Sequence, residues 1–323
     1  GKYLLHMADR DNTLVAVTPA MSCGSCLDPF IAKYPDRCMD IGIAEAHAVT
    51  FCGGLALGRR LKVVCSIYST FLQRAFDNVF HDICLQELPV VFAIDRAGIA
   101  GGDGQTHNGI YDIGFLNAMP NMVIAQPRDG DVLKDLLESA FSWNCPVSIR
   151  YPNSETHETE KPIMIREVGR AEILSQGSGV LLIGLGSMAY TALAIKEALL
   201  SHGYNATVMD PIFVKPLDTD LIADLLITHK TIVTLEEHSL KSGLASILNH
   251  HLLSNGFSEI QSINYGIPET FVEQGKPSDL FEELGLTAKI ITESLLKKLS
   301  TFVPQSPENL VFSHAEAPEV ERS

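Results

Sequence analysis

Two groups of residues in this chain have the types and spacing to do chemistry. The first is a carboxylate in an apolar run, Asp40-Ile41-Gly42-Ile43-Ala44-Glu45-Ala46-His47-Ala48-Val49-Thr50, which continues into Phe51-Cys52-Gly53-Gly54-Leu55-Ala56. Little in this run would solvate Glu45, and burying a carboxylate without a partner is costly. A buried carboxylate of this kind calls for a charge or a hydrogen bond as its partner. His47, two residues on, faces elsewhere on a helix and reads as packing or support. The second group is Tyr68, Phe71, Arg74, Arg96, Asp103 and His107. Arg carries a rigid fork that suits phosphate. Asp103, with His107 four residues on, could handle protons or bind substrate hydroxyls. Taken singly, Arg74 reads as a surface cation and Asp103 as a turn residue. Their joint occurrence favours a site.

That joint occurrence depends on the elements between them. Lys62 to Tyr68 and Pro89 to Asp95 read as apolar strands, the second of the kind buried in parallel sheets. Leu14 to Thr18, Met122 to Ala125 and Pro146 to Tyr151 add further strands. Helices are predicted over 1–10, within 25–34, from about Glu45 to Leu57, over Phe71 to Gln86 by apolar spacing, and over Gly130 to Trp143. Such alternation predicts a doubly wound α/β domain, in which ligands sit outside the carboxyl ends of the strands. Tyr68, Asp95-Arg96 and the Gly-rich loop from Gly98 to Gly109 all stand at such ends, and Glu45 follows another strand-like segment.

A first domain is expected over 1–155 and a polar, Pro-containing linker over 156–168. A second α/β domain follows over 169–300, with strands near 179–183, 206–209, 231–235 and 262–264. Residues 301–323 read as a disordered tail of Pro, Ser, Glu and Ala.

Composition narrows the partners. The chain has 323 residues, 46% of them hydrophobic and 20% charged, and a net charge of −15. That acidity argues against nucleic acid and anionic membranes, which select basic faces. No apolar run reaches the roughly 18 residues of a membrane span, and no secretory leader pattern is present. Seven cysteines in mainly apolar surroundings point to a reducing, cytoplasmic compartment. Cys23-Gly24-Ser25-Cys26 has redox or zinc spacing but no second pair to complete a metal site. The chain starts with Gly1 instead of Met, which reads as a fragment or a processed product.

Other patterns offer competing chemistry. Gly184-Leu185-Gly186-Ser187-Met188-Ala189 follows an apolar strand, opens a helix and has Asp210 at the next strand end. That matches the dinucleotide fingerprint, although glycines also permit tight strand–helix packing. Glu236-Glu237-His238 reads as a site or as a solvated strand end. Gly102-Asp103-Gly104 matches the opening of the thiamine diphosphate motif, but Asn108, Asn117 and Asn121 lie too close to complete it.

Several of these stretches together resemble 1-deoxy-D-xylulose-5-phosphate synthase. They are Asp40 to Thr50, Tyr68-Ser69-Thr70-Phe71-Leu72-Gln73-Arg74-Ala75, Asp95-Arg96-Ala97-Gly98, Gly102-Asp103-Gly104-Gln105-Thr106-His107, Arg150-Tyr151-Pro152 and Lys215-Pro216-Leu217-Asp218. The likeness runs in order from about Val17 to Leu299 and covers only the family's C-terminal half. It implies a transketolase-like pyrimidine-binding domain followed by a transketolase C-terminal domain. The implied reaction condenses pyruvate with D-glyceraldehyde 3-phosphate, releasing carbon dioxide, on thiamine diphosphate with Mg2+. Glu45 would bond the pyrimidine N1′ and stabilise the imino tautomer that removes the thiazolium C2 proton. Phe71 would stack on the pyrimidine. Tyr68 and Arg96 would hold the acceptor's phosphate. Arg74, Asp103 and His107 would line the substrate pocket, with His107 handling protons.

The pattern departs from the family at three points. Ala46 stands where the family has Gln, and Asn153 where it commonly has a phosphate-binding Arg. No diphosphate and magnesium motif occurs; in the family it lies in an N-terminal domain of about equal size. The chain is therefore expected to need that diphosphate-binding half, to be inactive without it, and to form a homodimer. The same likeness demotes the fingerprint at Gly184. The competing readings are the β subunit of a two-chain thiamine-dependent 2-oxo acid dehydrogenase or split transketolase, and a non-catalytic dinucleotide-binding module.

Overall fold

The computed structural model describes residues 1–156, 159 and 161–302. Of the tail expected over 301–323, residues 303–323 lie outside the described residues, whereas Thr301 and Phe302 end the helix Ala288–Phe302. Among the described residues, twelve strands form two sheets. β1 (Leu14–Thr18), β2 (Cys38–Asp40), β3 (Lys62–Tyr68), β4 (Val90–Asp95), β5 (Val123–Ala125) and β6 (Val147–Arg150) belong to the first. β7 (Glu172–Ser175), β8 (Gly179–Gly184), β9 (Thr207–Asp210), β11 (His229–Ser239) and β12 (Gln261–Ile267) form the second. β10 (Phe213–Lys215) leaves the second unit and pairs antiparallel with β5, giving the first sheet the order β10-β5-β6-β4-β3-β1-β2. The second sheet has the order β12-β11-β8-β9-β7. All other pairs are parallel except β7 with β9. Both units are thus doubly wound α/β, as expected.

The sequence explains this choice. β1, β4 and β6 are buried at every position, so helices must cover both faces of the sheet. The Glu45–Ala56 helix turns Ala48, Val49, Cys52 and Ala56 into the core on one side. Phe30, Leu136 and Phe213 fill the other. Residues 161–168 are not a free linker: the Met164 amide donates to Asp135 Oδ1 at 2.8 Å, and Arg166 pairs with Asp135 at 2.8 Å.

One expected element breaks up. The helix predicted from Phe71 to Gln86 is a chain of short turns: Ser69–Leu72, a 3-10 turn at Gln73–Ala75, Phe76–Asn78 and a π turn at Val79–Cys84. Gly53 lets this segment close on the Glu45–Ala56 helix, since a Cβ there would lie 3.1 Å from the Asp82 carbonyl oxygen. The apolar spacing is real, but tight packing against the helix disrupts the regular ladder.

Candidate active site

Glu45 is placed by the turn that leaves β2. Asp40 Oδ1 accepts the amides of Ala20 at 2.8 Å and Gly42 at 3.0 Å, and Gly42 adopts a φ of +76° that favours glycine. The chain then enters the helix with Glu45 in its first turn, where the dipole favours negative charge. The residue is only 5% exposed. Its Oε1 accepts Arg74 Nη1 at 2.5 Å. No other hydrogen bond to its carboxylate is made among the described residues. Arg74 is itself largely exposed.

The end of β3 supplies the aromatic wall. Tyr68 and Phe71 stack with centroids 6.0 Å apart and planes 17° from parallel. The Arg74 guanidinium lies 4.7 Å from the Phe71 centroid, and His107 meets the same ring edge-on at 5.2 Å. Glu45, Arg74, Phe71 and His107 therefore form one continuous series of contacts.

Arg96, just after β4, extends that series. Its guanidinium lies 4.0 Å from the Tyr68 centroid. Nη1 donates to the Gly24 carbonyl at 2.8 Å and to Asp95 Oδ2 at 2.9 Å, while Nε is buried without a partner among the described residues. Asp95 Oδ1 accepts the Arg96 amide at 2.7 Å, which helps hold Arg96 at a φ of +59°. Burial pushes the Asp95 carboxyl up, and Arg96 opposes the shift. Burial also raises the Tyr68 hydroxyl, again against Arg96. Gly24 must be glycine, since a Cβ would fall 1.6 Å from the Tyr68 hydroxyl oxygen.

The Gly98 to Gly109 loop carries the last two candidates. His107 is half-buried, with Nδ1 3.0 Å from Thr106 Oγ1, and Thr70 Oγ1 donates to the Thr106 carbonyl at 2.9 Å. Asp103 is exposed and makes no side-chain hydrogen bond among the described residues. Its charge reaches Tyr68, whose pKa it helps to raise. The structure thus joins Glu45, Tyr68, Phe71, Arg74, Arg96 and His107, with Asp103 at the rim. His47 is not among them: it is exposed and lies 6.0 Å from the Phe51 ring.

A buried polar centre behind this site escaped the local reading. Arg150 is 0% exposed. It grips Asp112 with two bonds of 2.9 and 3.0 Å, donates to the Gly109 carbonyl at 2.9 Å and also bonds Gln126. Burial would raise the Asp112 carboxyl, but Arg150 outweighs it and holds the pKa low. His238 Nε2 accepts the Ile113 amide at 3.2 Å and lies 3.7 Å from Asp112. Burial, aided by Arg150, depresses the His238 pKa to about 3, so the ring is neutral. Glu236 accepts the amides of Leu244 at 2.7 Å and Ala245 at 2.9 Å, and burial lifts its pKa to about 7. Glu236-Glu237-His238 is therefore a buried corner between the two units, not a solvated strand end.

The fingerprint loop is also filled by protein. Gly186 has a φ of +61°, and a Cβ there would lie 2.2 Å from Gln126 Nε2. Ser187 donates to Glu237 at 2.5 Å. Asp210, the residue that would bind a ribose, is fully buried and receives Arg128 at 2.8 Å. The glycines serve strand–helix and interdomain packing. No group of three His, Cys, Asp or Glu suited to a metal occurs among the described residues.

Comparison with known proteins agrees with this fold. Residues 1–158 match the family model described as "Transketolase, pyrimidine binding domain", and residues 169–291 match "Transketolase, C-terminal domain". A 1-deoxy-D-xylulose-5-phosphate synthase of Chlamydia felis is 49% identical over 314 residues, and one of Chlamydia muridarum 50% over 310. These alignments cover 96% and 94% of this chain but 48% of each relative. The chain spans about half the length of the curated relatives it matches. A solved split-gene transketolase, an inactive β4 tetramer, superposes with a TM-score of 0.81 at 28% identity, covering 93% of this chain and 96% of that one. A transketolase mutant from Pichia stipitis superposes at 0.77 over 93% of this chain and 45% of its own, with 17% identity. The chain belongs to the transketolase family, with the pyrimidine-binding and C-terminal domains, and resembles the 1-deoxy-D-xylulose-5-phosphate synthases within it.

Proposed function

We propose that this chain supplies the pyrimidine-binding and C-terminal half of a 1-deoxy-D-xylulose-5-phosphate synthase. That enzyme condenses pyruvate with D-glyceraldehyde 3-phosphate and releases carbon dioxide, and its product feeds isoprenoid and thiamine precursor synthesis. The observation that carries the reading is Glu45, a buried carboxylate paired on one oxygen and set beside a half-buried aromatic ring. This fits the pyrimidine end of thiamine diphosphate, which wants one carboxylate and one flat apolar surface. When bound, the cofactor would supply a nucleophilic carbon for the pyruvate carbonyl and an electron sink for the loss of carbon dioxide.

The chain's own residues bind and orient. Glu45 holds a proton at the pyrimidine N1′, Arg74 fixes the carboxylate rotamer, and Phe71 offers its face to the ring. Arg96 and Tyr68 take the acceptor's phosphate, with the unpaired Arg96 Nε as a buried donor. His107 moves a proton at the acceptor oxygen, and Asp103 holds a substrate hydroxyl. Asn153 is exposed and supplies no cation, so the phosphate site is weaker by one charge than the family pattern. Ala46 packs against the core beside Glu45.

No cluster suited to a metal occurs among the described residues, so Mg2+ and the diphosphate would be held by a second half, supplied as a domain or as a partner subunit. Exposed apolar side chains, Ile43 at 82%, Leu57 at 63% and Leu85 at 64%, favour a homodimer. Seven unpaired thiols support a reducing, cytoplasmic setting, and among the described residues no helix is long and apolar enough to cross a membrane.

A second reading is the β subunit of a split transketolase, supported by the 96% coverage of such a chain. The deciding experiment joins this chain to the diphosphate-binding half of a synthase relative, or to a candidate partner subunit. The synthase reading expects carbon dioxide release from pyruvate that depends on D-glyceraldehyde 3-phosphate. Ketol transfer between sugar phosphates without pyruvate consumption would overturn it.

A further inference from the structure

The Gly98 to Gly109 loop, which carries Asp103 and His107, rests mainly on the C-terminal domain. Following the chain, Gly98 lies against the Glu237 carboxylate: a Cβ there would fall 2.5 Å from Oε2. The Ile99 amide faces the same carboxylate. The Gly101 carbonyl accepts the Gly275 amide at 3.3 Å, and the Gly102 carbonyl accepts Gln274 Nε2 at 2.7 Å. Gln105 Nε2 donates to Glu273 at 2.6 Å. Asn108 is buried, and its Nδ2 donates to the Val272 carbonyl at 3.0 Å while its Oδ1 accepts the Ala100 amide at 2.9 Å. The Ile110 carbonyl accepts the Ser239 amide at 3.1 Å. Ile99 and Ile110 share a small apolar cluster with Ile267, Val272, Leu280 and Leu286. The first domain adds the Thr70 bond to Thr106, the Gly98–Gly109 pairing and the Arg150 bond to Gly109.

The loop itself could not hold this shape. Gly98, Gly101 and Gly104 all take positive φ, and a glycine-rich segment loses more entropy on ordering than any other. The stabilising partners come from two stretches of the C-terminal domain, 237–239 and 272–275, and β10 ties that domain into the first sheet. A rigid support of this kind is what a loop bearing a proton-handling histidine requires.

We propose that the C-terminal domain is the positioning element for the Gly98–Gly109 loop, with Asn108, Glu237 and Gln274 as its positioning residues. The consequence for catalysis rests on the placement of Asp103 and His107 in the substrate pocket. The first test does not. Amide hydrogen exchange is followed in the full chain for the parent, Gln274→Ala, Asn108→Ala and Thr70→Ala. Gln274 is exposed, so its replacement leaves the fold intact even where Asn108→Ala weakens it. The proposal expects exchange at amides 99–107 to accelerate roughly tenfold in Gln274→Ala, the effect of about one lost hydrogen bond. Thr70→Ala should change it less, and exchange in β3 and β4 should not move. Unchanged loop exchange in Gln274→Ala, or a larger effect from Thr70→Ala, overturns the proposal. In the reconstituted enzyme Gln274→Ala should raise KM for the acceptor several-fold with kcat near the parent's. Loosened exchange with unaltered kinetics would instead overturn the pocket assignment of Asp103 and His107, leaving the clamp established.

Discussion

Replacing Glu236 by Gln should change how stability depends on pH. Glu236 is wholly buried at the domain junction and accepts the amides of Leu244 and Ala245. Burial raises its pKa from 4.5 to about 7. A carboxyl with a raised folded pKa contributes its stability fully below pH 4.5 and loses it as pH rises through about 7. A shift of this size corresponds to about 3 kcal/mol between those limits. The two amides bond separate oxygens of Glu236, so Gln keeps an acceptor for one of them and leaves the other unpaired, a cost that does not vary with pH, and it cannot ionise. The stability of Glu236→Gln relative to the parent should therefore rise by about 3 kcal/mol from pH 4.5 to pH 8. Urea denaturation of both proteins across that range measures it. A difference that stays constant with pH would refute the claim that a desolvated carboxylate sits at this corner.

Three further outcomes follow from the same geometry. His238, depressed from 6.5 to about 3, contributes stability that is present above pH 6.5 and lost as pH falls towards 3. Relative to His238→Gln, the parent should lose roughly 1.4 kcal/mol per pH unit below pH 6.5 in urea titrations. Phe71→Ala should weaken cofactor binding by about 1–3 kcal/mol, read by calorimetry on the reconstituted enzyme, because one ring face is removed. Asn153→Arg should lower KM for the phosphorylated acceptor roughly tenfold without raising kcat, since it adds one charge-assisted bond.

Much of the site was legible because its signals are local. An acid in an apolar run announces burial, and Tyr68, Phe71 and Arg96 stand at or just after strand ends, where doubly wound sheets place ligands. The resemblance then proposed the pyrimidine of thiamine diphosphate as a partner for Glu45 in addition to Arg74. What escaped was the contact between domains. Arg150 lies in an ordinary-looking strand end, and only Asp112, Gln126 and the Gly109 carbonyl explain its complete burial. Glu236-Glu237-His238 reads as polar in sequence because the elements that bury it are over a hundred positions away or lie on a later helix. β10 is three residues long and pairs with a strand of the other domain, so no periodicity marks it. At Gly184 to Asp210 the local pattern pointed to a nucleotide, and Gln126 and Arg128 from the first domain fill that space.

Glu45 is proposed to activate the pyrimidine end of thiamine diphosphate. Deuterium exchange at the cofactor's C2 proton in the reconstituted enzyme tests it without substrates. Glu45→Gln should slow that exchange by on the order of 10²–10⁴-fold while the thermal stability of the chain stays close to the parent's. Exchange at the parent rate in Glu45→Gln would contradict the account.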